Sequence, residues 1–144
     1  MKRKYKVFQV DSFTDKKFSG NPAGVVLNAD GLTDNEMQQI AKELNNSETA
    51  FILSPSESDH EVWIRFFTPT TEVPTCGHAT IAAHYVRAKE KGITSAKLIH
   101  KIGIGKLPIE VVPENGDLKI LMTQGRVEIS EPLDGTVVNK ISEP

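Results

Sequence analysis

Three proton-carrying side chains sit where purely structural residues would serve as well. Glu48 lies in Asn45-Asn-Ser-Glu-Thr-Ala-Phe51, between the end of a helical segment and the apolar run Ala50-Phe-Ile-Leu53. Glutamates are mostly solvated surface residues. One held beside a buried strand is instead partly desolvated, which suits it to general acid/base work. Cys76 and His78 flank Gly77 in Thr75-Cys-Gly-His-Ala-Thr80, at the start of an apolar helical segment. A helix N-terminus offers free N–H groups and the positive end of the dipole. Gly77 lets a ligand approach the backbone closely, so a substrate carboxylate is the natural guest, with His78 as an added donor. The plainer reading makes Thr75 the cap, Cys76 core filling and His78 an ordinary hydrogen-bonded residue; the two readings weigh about equally. Asn21, within Gly20-Asn-Pro-Ala-Gly24, reads first as a turn residue and second as an amide that orients a substrate in a cleft.

Metal and nucleotide chemistry find less support. His84 follows His78 by six residues, and at about 100° per residue the two do not share a helix face. His60 and His100 stand alone in other segments. No Cys-x-x-Cys or His-Glu-x-x-His spacing occurs, so no metal ligand set is expected. Gly103-Ile-Gly105 lacks the third glycine and the following helix of a dinucleotide fingerprint, and there is no Walker loop.

The elements that must position these residues read as follows. Tyr5–Asp11 and Ala23–Leu27 are predicted strands joined by a polar loop, Ser12–Asn21. Thr33 and Glu36 have capping-box spacing. Met37, Ile40, Ala41 and Leu44 then mark one apolar helix face, which ends at Asn45-Asn46. Strands follow at Thr49–Leu53 and Glu61–Phe67, then an irregular loop, Thr68–Thr75, with two prolines. A second helix spans Gly77–Lys91, with Gly92 at the cap position. Its opening turns carry no charge before Arg87, and a helix apolar all round is buried all round. The rest is β-rich: Lys97–Ile102, Leu107–Val112 and Leu118–Thr123, with an Asn115-Gly116 hairpin turn. The expected fold class is α+β, a curved, mostly antiparallel sheet wrapped around a central helix. Residues 1–129 form the domain and 130–144 a linker-like tail.

Composition sets the outer limits. The 144 residues are 38% hydrophobic and 25% charged with a net charge of -2, typical of a globular domain. That balance gives no basic footprint for nucleic acid. No segment approaches the roughly 20 apolar residues of a membrane helix, and Lys2-Arg3-Lys4 is followed by no signal-peptide core. The single cysteine excludes an intrachain disulfide and favours a reducing, cytoplasmic location.

In order, Phe13 with FSGNPAGVV (Phe18–Val26), NNSETAFIL (Asn45–Leu53) and RFFTPTTEVPTCGHATIAAHYV (Arg65–Val86) resemble the phenazine-biosynthesis (PhzF-like) family. The resemblance runs to about Ile129, and the joint occurrence is far more specific than any one segment. It implies a fold related to diaminopimelate epimerase and proline racemase: two similar halves, each a sheet curled around a helix, with the active site between them. It implies that Glu48 shuttles the proton, that Gly77 and His78 help bind substrate, and that neither metal nor organic cofactor takes part. The related racemases use paired thiols, which makes Cys76 the alternative acid/base group, since a helix N-terminus stabilises a thiolate.

Family members have two domains of this size class. No segment here matches the Asp-Pro-x-Thr-Gly-Ser-like motif of their second half. The expected function is thus cofactor-independent isomerisation or epimerisation of a small carboxylate-bearing metabolite. The missing half-site would be supplied by a homodimer partner or a complementing second half. The competing expectation is a non-catalytic half-domain that self-associates or binds a ligand.

Overall fold

The computed structural model describes residues 2–142. In chain order the elements are β1 (Lys6–Ser12), β2 (Asn21–Leu27), α1 (Asp34–Leu44), β3 (Thr49–Leu53), β4 (Val62–Phe67), β5 (Glu72–Val73), α2 (Gly77–Lys91), β6 (Ala96–Ile102), β7 (Gly105–Glu114), β8 (Asp117–Met122) and α3 (Gly135–Ser142). One sheet takes the order β1-β2-β3-β4-β6-β7-β8, with β5 pairing β4 beside this path. The pairs β2–β3 and β4–β6 are parallel and the others antiparallel. The fold is the expected α+β arrangement of a curved, mostly antiparallel sheet around a central helix.

Each parallel pair needs a crossover connection, and the two crossover helices take opposite faces of the sheet. Successive strand residues point to opposite sides. On one side Val26 and Phe51 pack with Met37 and Ala41 of α1; on the other Val25 and Ala50 pack with Ala79, Ala82 and Ala83 of α2. Covered on both faces, β2 from Ala23 and β3 from Ala50 are continuously apolar rather than alternating. The Thr33–Glu36 capping box forms as the spacing predicts, and Asn45 closes α1 in the left-handed conformation.

The alanines of α2 keep it thin enough for the sheet to curl around it. Lys6 of β1 pairs with Glu90 at 2.8 Å. Across the helix, the Tyr85 hydroxyl donates to Asp117 of β8 at 2.9 Å, and Lys89 pairs with the same carboxylate. Both outer strands are thereby tied to α2.

Burial on every side, expected from the lack of charge, fails along one stripe. Ala79, Thr80, Ala82, Ala83, His84 and Val86 are buried, but Gly77 is exposed and Ile81 and Tyr85 are only half-buried. These three lie at i, i+4 and i+8, so the sheet leaves one side of the helix open. Two smaller differences concern loops. The Thr68–Thr75 segment contains the two-residue strand β5, and α3 lies within the stretch read as a tail.

His84 and His100, read as unrelated, meet in the core, with Nε2 of one 3.2 Å from Nδ1 of the other. The remaining ring nitrogens, Nδ1 of His84 and Nε2 of His100, have no hydrogen-bond partner among the described residues. The contact joins α2 to β6, which no spacing along the chain reveals. Burial pushes both imidazoles well below the usual histidine range, helped at His84 by the neighbouring His100 and Arg87. The folded state therefore holds both neutral, while the unfolded chain takes up protons below about pH 6.5. Stability from this pair is present at neutral pH and is lost as the pH falls through that value. The slope reaches about 1.4 kcal/mol per pH unit for each histidine. Urea midpoints should drop between pH 7 and pH 5, and a His84→Leu/His100→Leu variant should show a flatter profile. A wild-type midpoint that does not move over this range would refute the assignment.

Candidate active site

Glu48 is placed by backbone contacts on β2. Gly24 pairs with Thr49 in the parallel register, and its N–H donates to the Glu48 carbonyl at 3.1 Å. A Cβ at Gly24 would lie 2.7 Å from Thr49 Oγ1, so a larger residue would push β3, and Glu48 with it, away. The glycine of the Gly20–Gly24 segment is thus a spacer that seats the carboxylate. The site end of α2 is fixed in a similar way. The Thr80 hydroxyl and N–H both donate to the Cys76 carbonyl, at 2.6 and 3.1 Å, and the Ser12 hydroxyl donates to the His78 carbonyl at 2.7 Å.

These anchors bring the three proton carriers together. His78 Nε2 lies 3.4 Å from Glu48 Oε2 and 3.2 Å from Ser47 Oγ, while Nδ1 lies 3.3 Å from Cys76 Sγ. One donor atom from each of Glu48, Cys76 and His78 falls within 4.8 Å of the others. The Glu48 and His78 side chains are 23% and 11% exposed, dry enough to strengthen their interaction yet open on one side. Cys76, not Thr75, occupies the N-cap position and makes no side-chain cap. No side chain caps the first turn of α2, and at exposed Gly77 nothing lies within 4 Å of a built Cβ.

The thiol does not take the character expected at a helix N-terminus. Burial pushes Cys76 up to about 11, with nearby Glu48 adding to the rise and the Ala79 and His78 N–H groups opposing it. A protonated thiol facing Nδ1 leaves Nε2 as the ring N–H, beside Ser47 Oγ at 3.2 Å.

Of the residues singled out in the sequence, Glu48, Cys76, Gly77 and His78 converge. Asn21 stands at the exposed start of β2, paired in register with Ser12, outside the Glu48–Cys76–His78 cluster. Sequence reasoning passed over Ser47 and Ser12. Ser47 adjoins Glu48 and was open to notice; Ser12 is distant in the chain from His78 and could be found only by folding. The loop after Ser12 carries Phe13 and Phe18, 74% and 96% exposed and both at positive φ, where bulky residues are uncommon.

Residues 10–134 match the family model for phenazine biosynthesis-like proteins. A Clostridium acetobutylicum protein described as an uncharacterized isomerase is 59% identical over 141 residues, covering 98% of this chain and 47% of that protein. The crystal structure of a Bacillus anthracis phenazine biosynthesis protein of the PhzF family has a TM-score of 0.72 at 44% identity, covering 81% of this chain and 39% of that one. A Pseudomonas aeruginosa predicted epimerase shares the fold, with a TM-score of 0.86 at 24% identity over 96% of this chain and 49% of its own. The chain thus spans less than half the length of these relatives.

The state of Cys76 is open to direct test. Alkylation by iodoacetamide should be roughly 10²-fold slower at pH 7.5 than for an unperturbed thiol, and its rate should climb with pH through about 11. A midpoint at or below 8.5 would mean that the helix terminus and not burial governs the thiol.

Proposed function

The chain belongs to the phenazine biosynthesis-like protein family, and on that premise we propose that it supplies one wall of a cofactor-independent isomerase or epimerase site. The substrate is a small carboxylate-bearing metabolite. Glu48 removes a proton from carbon and returns it elsewhere on the molecule or to the opposite face. The free amides around Gly77 and the His78 ring hold the substrate carboxylate, and Asn21 orients it. The observation that carries this reading is the half-buried Glu48 carboxylate 3.4 Å from His78 Nε2, beside an uncapped helix start that a ligand can approach.

The other wall comes from a second half, provided by another copy of this chain in a homodimer or by a complementing domain. Three features support this. The Gly77, Ile81, Tyr85 stripe of α2 lacks cover. Phe13 and Phe18 stand exposed on the loop that follows Ser12. The matched relatives are longer than twice the aligned segment. Cys76 ranks behind Glu48 as the proton carrier, because a thiol pushed up to about 11 is a poor base at neutral pH.

Turnover in heavy water tests the proposal. The chain, alone or with a complementing second half, should incorporate solvent deuterium at carbon in a substrate carboxylate. Glu48→Gln keeps size and hydrogen bonding but cannot cycle a proton, and should lower the rate by about 10² to 10⁴ with circular dichroism unchanged. Glu48→Asp should recover little, because the shorter side chain withdraws the carboxylate. Undiminished exchange in a folded Gln variant would remove Glu48 from the mechanism.

A further inference from the structure

We propose that Glu48, Cys76 and His78 form a binding site for a borderline-soft divalent cation, Zn(II) or Co(II), through one carboxylate oxygen, the thiolate and one imidazole nitrogen. A tetrahedral zinc with ligands at about 2.0–2.3 Å sets its donor atoms roughly 3.3–3.7 Å apart. Sγ and Nδ1 already stand 3.3 Å apart, Glu48 Oε2 stands 3.4 Å from Nε2 of the same ring, and one donor atom from each residue lies within 4.8 Å of the others. The cluster needs to contract by little more than an ångström.

The donor set selects the ion. Sulfur and nitrogen disfavour Mg(II) and Ca(II), which take oxygen shells. Thiolate and carboxylate together neutralise the 2+ charge and outweigh the adverse dipole at the start of α2. On binding, the S–H bond breaks, sulfur keeps the electron pair as a ligand, and the proton leaves to solvent. With Nδ1 on the metal, the Nε2–H donates to Ser47 Oγ, now 3.2 Å away, an orienting partner of the kind metal-bound histidines usually have.

The backbone is prepared for this. Glu48 is held by the Gly24 N–H, Cys76 by Thr80 and His78 by Ser12. The open space at Gly77 leaves room for water in the fourth position. The sequence hides the site because its third ligand comes from a different element. Two of its ligands also carry out the proposed proton transfer, so occupation would silence that chemistry. This consequence rests on the functional reading above; the binding itself does not.

The test uses the full chain freed of metal by chelation. Added Co(II) should give a thiolate-to-cobalt charge-transfer band in the near ultraviolet and visible bands of tetrahedral intensity at one equivalent. Zn(II) should abolish both, and Mg(II) should have no effect. Amide resonances of 47–49 and 76–79 should move on Zn(II) addition to the wild type, a readout that needs no variant. Cys76→Ser should lose the charge-transfer band and weaken Zn(II) more than tenfold, while Glu48→Gln should keep the band and bind more weakly. Absence of the band in the wild type, or unchanged Zn(II) affinity in Cys76→Ser, overturns the site. Deuterium exchange by metal-free wild type and Glu48→Gln judges the proton-shuttle reading separately, so either can fail alone.

Discussion

The structure depends on one steric constraint: α2 has to fit inside a curled sheet. A buried helix surrounded by strands cannot carry long or charged side chains toward them, and the inward positions of α2 are alanines, a threonine, a histidine and a valine. The close approach of strand to helix that these allow makes the curl possible. It also sets the condition of the helix start. The chain reaches α2 through the proline-containing loop after β4, and Cys76 arrives in extended geometry at the N-cap without making a side-chain cap. The cost of leaving such amides bare is removed by water or by a ligand. The packing requirement that encloses the middle of α2 thus leaves a polar surface at its start, beside exposed Gly77.

The position of Glu48 follows from the same curl. Because β2 and β3 are parallel and both buried on two faces, the chain must come back over the outside of the sheet through α1 and re-enter at the same end from which β2 began. That end is the one where α2 starts. Gly24 then lets β3 approach closely enough for its N–H to take the Glu48 carbonyl. A carboxylate at the start of a central strand and an imidazole at the start of the central helix are thus neighbours by topology. The hydrogen bonds from Ser12 and Thr80 refine that meeting without creating it.

Much of this was legible in the residues. The Thr33–Glu36 cap, the apolar stretch of α2 with Gly92 behind it, and the Asn115-Gly116 turn are local signals, and local signals survive folding. Glu48, Gly77 and His78 could be singled out because each sat beside an element of evident burial. What escaped was non-local. The open stripe along α2 depends on how far the sheet curls, which no periodicity encodes. The His84–His100 contact joins a helix to a strand, and the third member of the Cys76–His78 cluster comes from the residue before β3. The thiol was misjudged for a related reason: the dipole of a helix start can be read from sequence, but the desolvation that outweighs it depends on what packs around the sulfur.

The competition at Cys76 bears on how the cluster handles protons. A thiol that stays protonated can give its hydrogen bond to His78 without adding a negative charge beside Glu48. The imidazole then sits between a neutral sulfur on one side and a carboxylate with a serine hydroxyl on the other. Such a ring donates toward the serine hydroxyl, and in the proposed reaction the proton-carrying role is Glu48's. Were the thiol ionised, two anions would share this small space, and each would oppose the other's charge. An incoming substrate carboxylate would be a third. In the proposed reaction, a sulfur kept neutral by burial leaves the start of α2 less opposed to an anionic substrate.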